Sequence, residues 1–218
     1  MAFLFFSIAF LFLFFSSHLL SRKLGSVLMF LTRSTHITIY TLSLIFFPGV
    51  IIHELAHFFM ANMLFVPTGE IEFFPQVQEG GVKLGSVAIA KTDPIRRFFI
   101  GVAPIFAGIG MIFLAAYYLH PFSLSLSWQT GVFFYLLFQI GNTMFSSKKD
   151  MEGAIGLGIF VAIIVLLFFL FGAKLPSPVI YACQQFLSLP FFSEQALFFA
   201  GAGALNVLLW TILSVIKR

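Results

Sequence analysis

The chain has 218 residues, 60% of them hydrophobic and only 9% charged, against about half apolar and about a quarter charged in soluble domains. With a mean hydropathy of +1.05, this composition excludes an ordinary soluble globular protein and points to an integral membrane protein. The formal charge of +4 does not indicate nucleic acid, because the Lys and Arg residues sit at the ends of apolar runs, where they set membrane topology.

The natural unit in such a chain is the apolar run of about 20 residues, and six are predicted. The first, 2–20, has neither the basic start nor the small-residue cleavage site of a signal peptide, so it reads as a retained helix. The second covers 36–65, and the third, 98–119, follows the basic pair Arg96 and Arg97. Runs at 128–145, 153–171 and 195–216 complete the set. With a cytoplasmic N-terminus, Lys83, Lys91, Arg96, Arg97, Lys148, Lys149, Lys217 and Arg218 fall inside, against Arg22, Lys23, Arg33 and Lys174 outside. The positive-inside rule therefore places both termini in the cytoplasm of a cell-membrane protein.

One loop, 66–95, is long enough for structure of its own. "GEIEFF" alternates polar and apolar residues, "QEGG" supplies a turn, and a two-residue period resumes through Val82 and Leu84, then Val87 and Ile89. A β-hairpin at the cytoplasmic membrane surface is expected, with Glu70 and Glu72 on its water-facing side. The predicted fold is thus an all-α polytopic membrane protein in one domain, 1–218, with about six transmembrane helices and this small hairpin. The 33 phenylalanines read as lipid-facing and core bias, without a cofactor. The lone Cys183 can form neither an internal disulfide nor a cysteine metal site.

Within the second run stands "HELAH", where His53 and His57 share one face of a helix and can grip one ion. Glu54, about 100° away around the axis, can reach a water held by that ion without being a ligand. Ionisable groups inside a membrane are costly and mark function. Catalytic zinc takes three protein ligands and leaves a fourth position open. The chain has two aspartates, Asp93 and Asp150, and parity favours Asp150, since the second and fourth runs travel the same way and deliver it to the depth of the histidines. Glu152 competes with it, whereas His18, His36 and His120 lie near run ends, where imidazoles face interfacial water.

Together with "HELAH", the stretch "GNTMFSSKKDMEGA" resembles the site-2 protease family of intramembrane zinc metalloproteases, whose second motif has Asn, then Pro three residues on, then Asp-Gly eight and nine on. Asn142 and Asp150 match that spacing, while Phe145 stands at the proline position and Met151 at the glycine position. "GVAPIFAGIG" is similar to the family's Gly-Pro segment, with Pro104 present and the following asparagine missing. The resemblance covers about 47–153, within a predicted catalytic core of 36–153. It implies Zn2+ held by His53, His57 and Asp150, Glu54 as catalytic base, and Asn142 near the substrate or the oxyanion. It also implies hydrolysis of peptide bonds in or near transmembrane segments of membrane proteins, with the hairpin pairing with an extended substrate. An ion-binding transporter and an inactive membrane scaffold are the competing expectations, and in neither is Glu54 needed as a base.

Overall fold

The structure is a computed structural model that describes residues 1–78, 81–119, 127–145, 159, 163, 164, 166, 167, 170 and 177–216. Helix α1 spans Ala2–Thr32 and α2 spans Thr35–Met63. Four short strands follow: β1 (Thr68–Glu72), β2 (Gln76–Gln78), β3 (Gly81–Lys83) and β4 (Ser86–Ile89). Helices α3 (Pro94–Leu119), α4 (Trp128–Thr143), α5 (Ser177–Leu187) and α6 (Pro190–Ile216) complete the described chain. The protein is mostly helical, and α1, α2, α3 and α6 are long and apolar enough to cross a membrane. At 16 residues, α4 is about 24 Å long, short of the roughly 30 Å hydrocarbon core. The expected fifth run lies largely outside the described residues. Large apolar side chains such as Phe15, Leu44, Phe59, Phe106 and Leu197 face outward, as a bundle solvated by lipid requires and a water-soluble one avoids.

Helix α1 continues well past the expected end at residue 20, and Arg22 and Lys23 are helical rather than part of a loop. Nothing in leaving hydrocarbon breaks a helix, and no Gly or Pro stops this one before Arg33. There the backbone turns left-handed (φ 50°) and its N–H bonds to Met29 O. Ser34 then caps α2 by accepting from the Ile37 N–H. At the other end of α2, Phe65 takes φ 56°. The N–H of Val66 bonds to Ala61 O at 2.9 Å and that of Phe65 to Asn62 O at 3.0 Å. This is a Schellman ending with phenylalanine where glycine is usual, sealed by the burial of Val66 against Ala61 and Ile100.

The core gathers where α1, α3, α4 and α6 meet, around Leu13, Ile112, Phe133, Ile140 and Phe199. Helices α1 and α6 run side by side in parallel: Phe3 and Phe6 meet Phe192, Phe10 meets Phe199, and Ser16 meets Asn206. Parallel helices that both cross a bilayer start on the same side, so this pairing does not fit the expectation that both termini are cytoplasmic.

The hairpin forms in the expected segment as two antiparallel ladders, β1 with β4 and β2 with β3. Leu84 and Gly85 separate the two ladders on one side, and the β1–β4 register shifts between Thr68 and Ile71. The hairpin lies along the C-terminal half of α2: Phe74 meets Phe47, Gly85 meets Val50 and Glu54, and Ile89 packs on the cluster holding Ala61. Non-helical backbone at this depth is tolerated where protein buries it or a cavity keeps it wet.

Candidate metal centre

Pro48 and Pro104 each remove a backbone donor from a helix interior. In α3, the carbonyl left over by Pro104 is that of Ile100, four residues earlier. It accepts a hydrogen bond from His57 Nδ1 at 2.7 Å. His53 Nδ1 likewise donates to Thr143 O, at the free C-terminal end of α4, at 2.7 Å. Around Pro48, the side chain of Gln139 reaches across from α4 to Ile45 O at 2.7 Å. Helix α4 closes on α2 because position 49 is glycine: a Cβ there would strike Thr143 Oγ1 and lie 2.8 Å from Gln139 O.

These contacts decide the tautomers. A carbonyl oxygen only accepts, so both Nδ1 atoms carry their protons and both Nε2 atoms present lone pairs. The two Nε2 atoms face each other at 3.1 Å, with the rings nearly perpendicular at 80°. Two lone pairs so close repel unless they share a proton or a cation. A tetrahedral ion at 2.0–2.1 Å from each nitrogen holds two imidazole nitrogens roughly 3.3 Å apart. Ligating histidines likewise donate their other N–H to a carbonyl or carboxylate. The two imidazoles are thus placed so that they could supply two of the ligands a zinc ion needs.

Glu54 is buried (7% exposed) and His57 more so (4%). Gly85 closes over the glutamate: a Cβ at that position would stand 2.9 Å from Glu54 Cγ and 3.0 Å from Oε1. A cleft of about 820 Å³ reaches His57. His57, Ile100 and Gly101 form its floor, the β4 segment from Ser86 to Ala90 its wall, and Lys91 and Arg97 its rim. Among the described residues β4 pairs only with β1, and residues of both strands line this cleft.

The expected third ligand, Asp150, and its competitor Glu152 lie outside the described residues. Among the described residues no three His, Cys, Asp or Glu side chains gather into a metal-binding set. Asp93 is engaged elsewhere, as the N-cap of α3: its Oδ1 accepts from the Ile95 and Arg96 N–H groups at 3.1 and 3.0 Å, and Oδ2 pairs with Arg96 Nε at 3.2 Å. The hydrogen bond from the Arg96 backbone, with the Arg96 charge adding to it, holds the Asp93 carboxyl below its usual pKa.

Asn142, expected near the substrate or the oxyanion, is hydrogen-bonded within the bundle. Its amide nitrogen donates to Phe138 O at 2.8 Å and to Asn206 Oδ1 at 3.0 Å, which uses both of its hydrogens. Asn206 in turn donates to Ser16 Oγ, so Asn142 joins α4 to α6 and α1. Two residues that the motif reading passed over, Thr143 and Ile100, hold the histidines, and the signals for them were a helix end and a proline four residues on. Comparison with known protein families, with curated proteins and with solved structures finds no match.

Proposed function

We propose that this protein is an intramembrane zinc endopeptidase of the site-2 protease type, hydrolysing peptide bonds in or near transmembrane segments of membrane-protein substrates. The observation that carries this reading is the pair of facing Nε2 atoms 3.1 Å apart, each ring fixed by a carbonyl at its Nδ1. His53 and His57 would hold the ion, with Asp150 as third ligand. When bound, zinc polarises the scissile carbonyl and brings the pKa of a water toward about 7.

The rest of the chemistry belongs to the chain. Glu54, next to His53 and shielded by Gly85, takes a proton from the attacking water and returns it to the leaving nitrogen. A peptide bond in a membrane helix has its N–H and C=O already paired, so the substrate must unwind locally. The free edge of β4 would hold the unwound segment by main-chain hydrogen bonds as an added strand, with His57 at the floor beneath it. The basic residues around the cleft, Lys91, Arg96 and Arg97, favour a cytoplasmic opening.

The test is metal analysis of the purified protein beside His53→Ala, Asp150→Ala and Glu54→Gln. Near one zinc per chain in the parent and in Glu54→Gln, with loss in the other two, is the expected result. Cleavage of a membrane-embedded helical substrate should stop in all three variants. Flux of an ion that survives Glu54→Gln, with no cleavage by the parent, would turn the site into a transporter's.

A further inference from the structure

Helix α5 segregates its side chains, with Ile180 alone at the border between the two arcs. At about 100° per residue, Pro178, Val179, Ala182, Cys183, Phe186 and Leu187 fall within one half of the circumference and line a continuous shallow apolar groove. Ser177, Tyr181, Gln184 and Gln185 take the opposite arc, where Gln185 Nε2 donates to Tyr181 Oη at 2.9 Å. Every residue of the helix is exposed, so nothing described in the protein covers the apolar face. With 11 residues, α5 is about 16 Å long, half of what spans a hydrocarbon core.

Its place in the bundle identifies what covers it. Only Ser188 and Leu189 separate α5 from α6, a helix of membrane-crossing length. Phe186 stacks edge-on with Phe192 at 5.3 Å, and Phe192 also contacts Phe3 and Phe6. Helix α5 is thus pinned at the end of the bundle where α1 and α6 both begin, which is the level of the membrane boundary. A short helix fixed at that level, apolar on one side and polar on the other, lies in the plane of the interface. It carries no charged residue, whereas amphipathic helices that select anionic lipids carry Lys and Arg on the polar face.

We propose that α5 is an interfacial anchor whose Cys183 face is seated at the headgroup–acyl boundary, held by apolar burial and indifferent to lipid charge. It steadies the start of α6 at a fixed depth, and through Phe192 the start of α1.

Cys183 is the only cysteine in the chain and lies on the apolar face, so the native protein carries its own probe. The full chain is reconstituted into phosphatidylcholine nanodiscs and reacted with a water-soluble maleimide, beside a Cys183→Ser/Gln184→Cys variant that moves the thiol to the polar arc. Cys183 should react at least about tenfold more slowly than the thiol at 184, and a nitroxide on Cys183 should meet oxygen more often than a hydrophilic nickel chelate. Both contrasts should vanish in denaturing detergent and persist when anionic lipid replaces part of the phosphatidylcholine. Equal labelling at the two positions would overturn the proposal. So would protection of Cys183 that grows with the protein-to-lipid ratio, which would make the covering surface a second copy of the chain. Neither result bears on the metal centre.

Discussion

His57 is fixed by Ile100: its Nδ1 donates to the Ile100 carbonyl at 2.7 Å, and that carbonyl is available because the residue four positions on is Pro104. A proline inside a membrane helix is usually read as a kink. Here the missing N–H is what sets the tautomer of a candidate ligand on another helix, so a motif in α3 acts on chemistry in α2.

Replacing Pro104 with alanine should separate these effects. The new N–H at 104 competes for the Ile100 carbonyl and restores a regular helical bond, so α3 is not weakened. The histidine, however, loses its orienting partner, and losing the hydrogen bond that orients a ligand weakens metal affinity about 10- to 100-fold. Zinc titration against a competing chelator reads the change. Unaltered affinity in Pro104→Ala would show that the carbonyl contact does not orient His57.

Gly85→Ala should act on the base and leave the metal in place. Its Cβ would stand 2.9 Å from Glu54 Cγ and 2.7 Å from Val50 Cγ1, so either the hairpin lifts or the carboxylate turns. The expected outcome is near-parental zinc content with cleavage reduced by about 10²-fold or more, the size of a misplaced catalytic group. Shortening the base removes part of the clash. Gly85→Ala combined with Glu54→Asp should therefore be less impaired than the product of the single losses.

Asp93 gives a pH-dependent prediction away from the membrane. Its folded pKa is held below that of an ordinary aspartate, about 3.9, so the cap's contribution is present above that ordinary value and is lost as pH falls through the lowered folded one. Thermal unfolding of the parent should therefore fall in midpoint below about pH 4 more steeply than that of Asp93→Ala. Parallel acid profiles would remove the cap from the account.

How much of this was legible in the sequence follows from what each signal measures. The histidine pair was readable because i, i+4 spacing fixes a shared helix face whatever surrounds it. The hairpin was readable from its alternation and turn residues, whereas the register shift between Thr68 and Ile71 carries no such signal. Hydropathy located the runs that became α1, α2, α3 and α6 but ended the first too early, because it registers Arg22 and Lys23 as the end of a segment although the helix continues to Thr32. The turn at Phe65 carries no glycine signal, as tertiary burial of Val66 imposes it. The family spacing named Asn142, yet spacing along a chain does not say which neighbour a side chain meets once three helices pack around it.

The last prediction distinguishes two roles for that asparagine. If Asn142 were an oxyanion donor, Asn142→Ala would abolish turnover with stability unchanged, and Asn206→Ala would do little. The hydrogen bonds to Phe138 O and Asn206 Oδ1 favour the other outcome: Asn142 ties the end of α4, and with it the Thr143 carbonyl that holds His53, to α6. Each single alanine variant should then lower stability by about 1 kcal/mol, the net worth of a buried hydrogen bond. The double variant should lose less than the sum of the two singles, since both remove the Asn142–Asn206 bond while each also loses a bond of its own, to Phe138 O or to Ser16 Oγ. Zinc affinity should fall in both variants together, because α4 carries the Thr143 carbonyl with it. Additive losses, or turnover sensitive to Asn142 alone, would return the residue to the reaction centre.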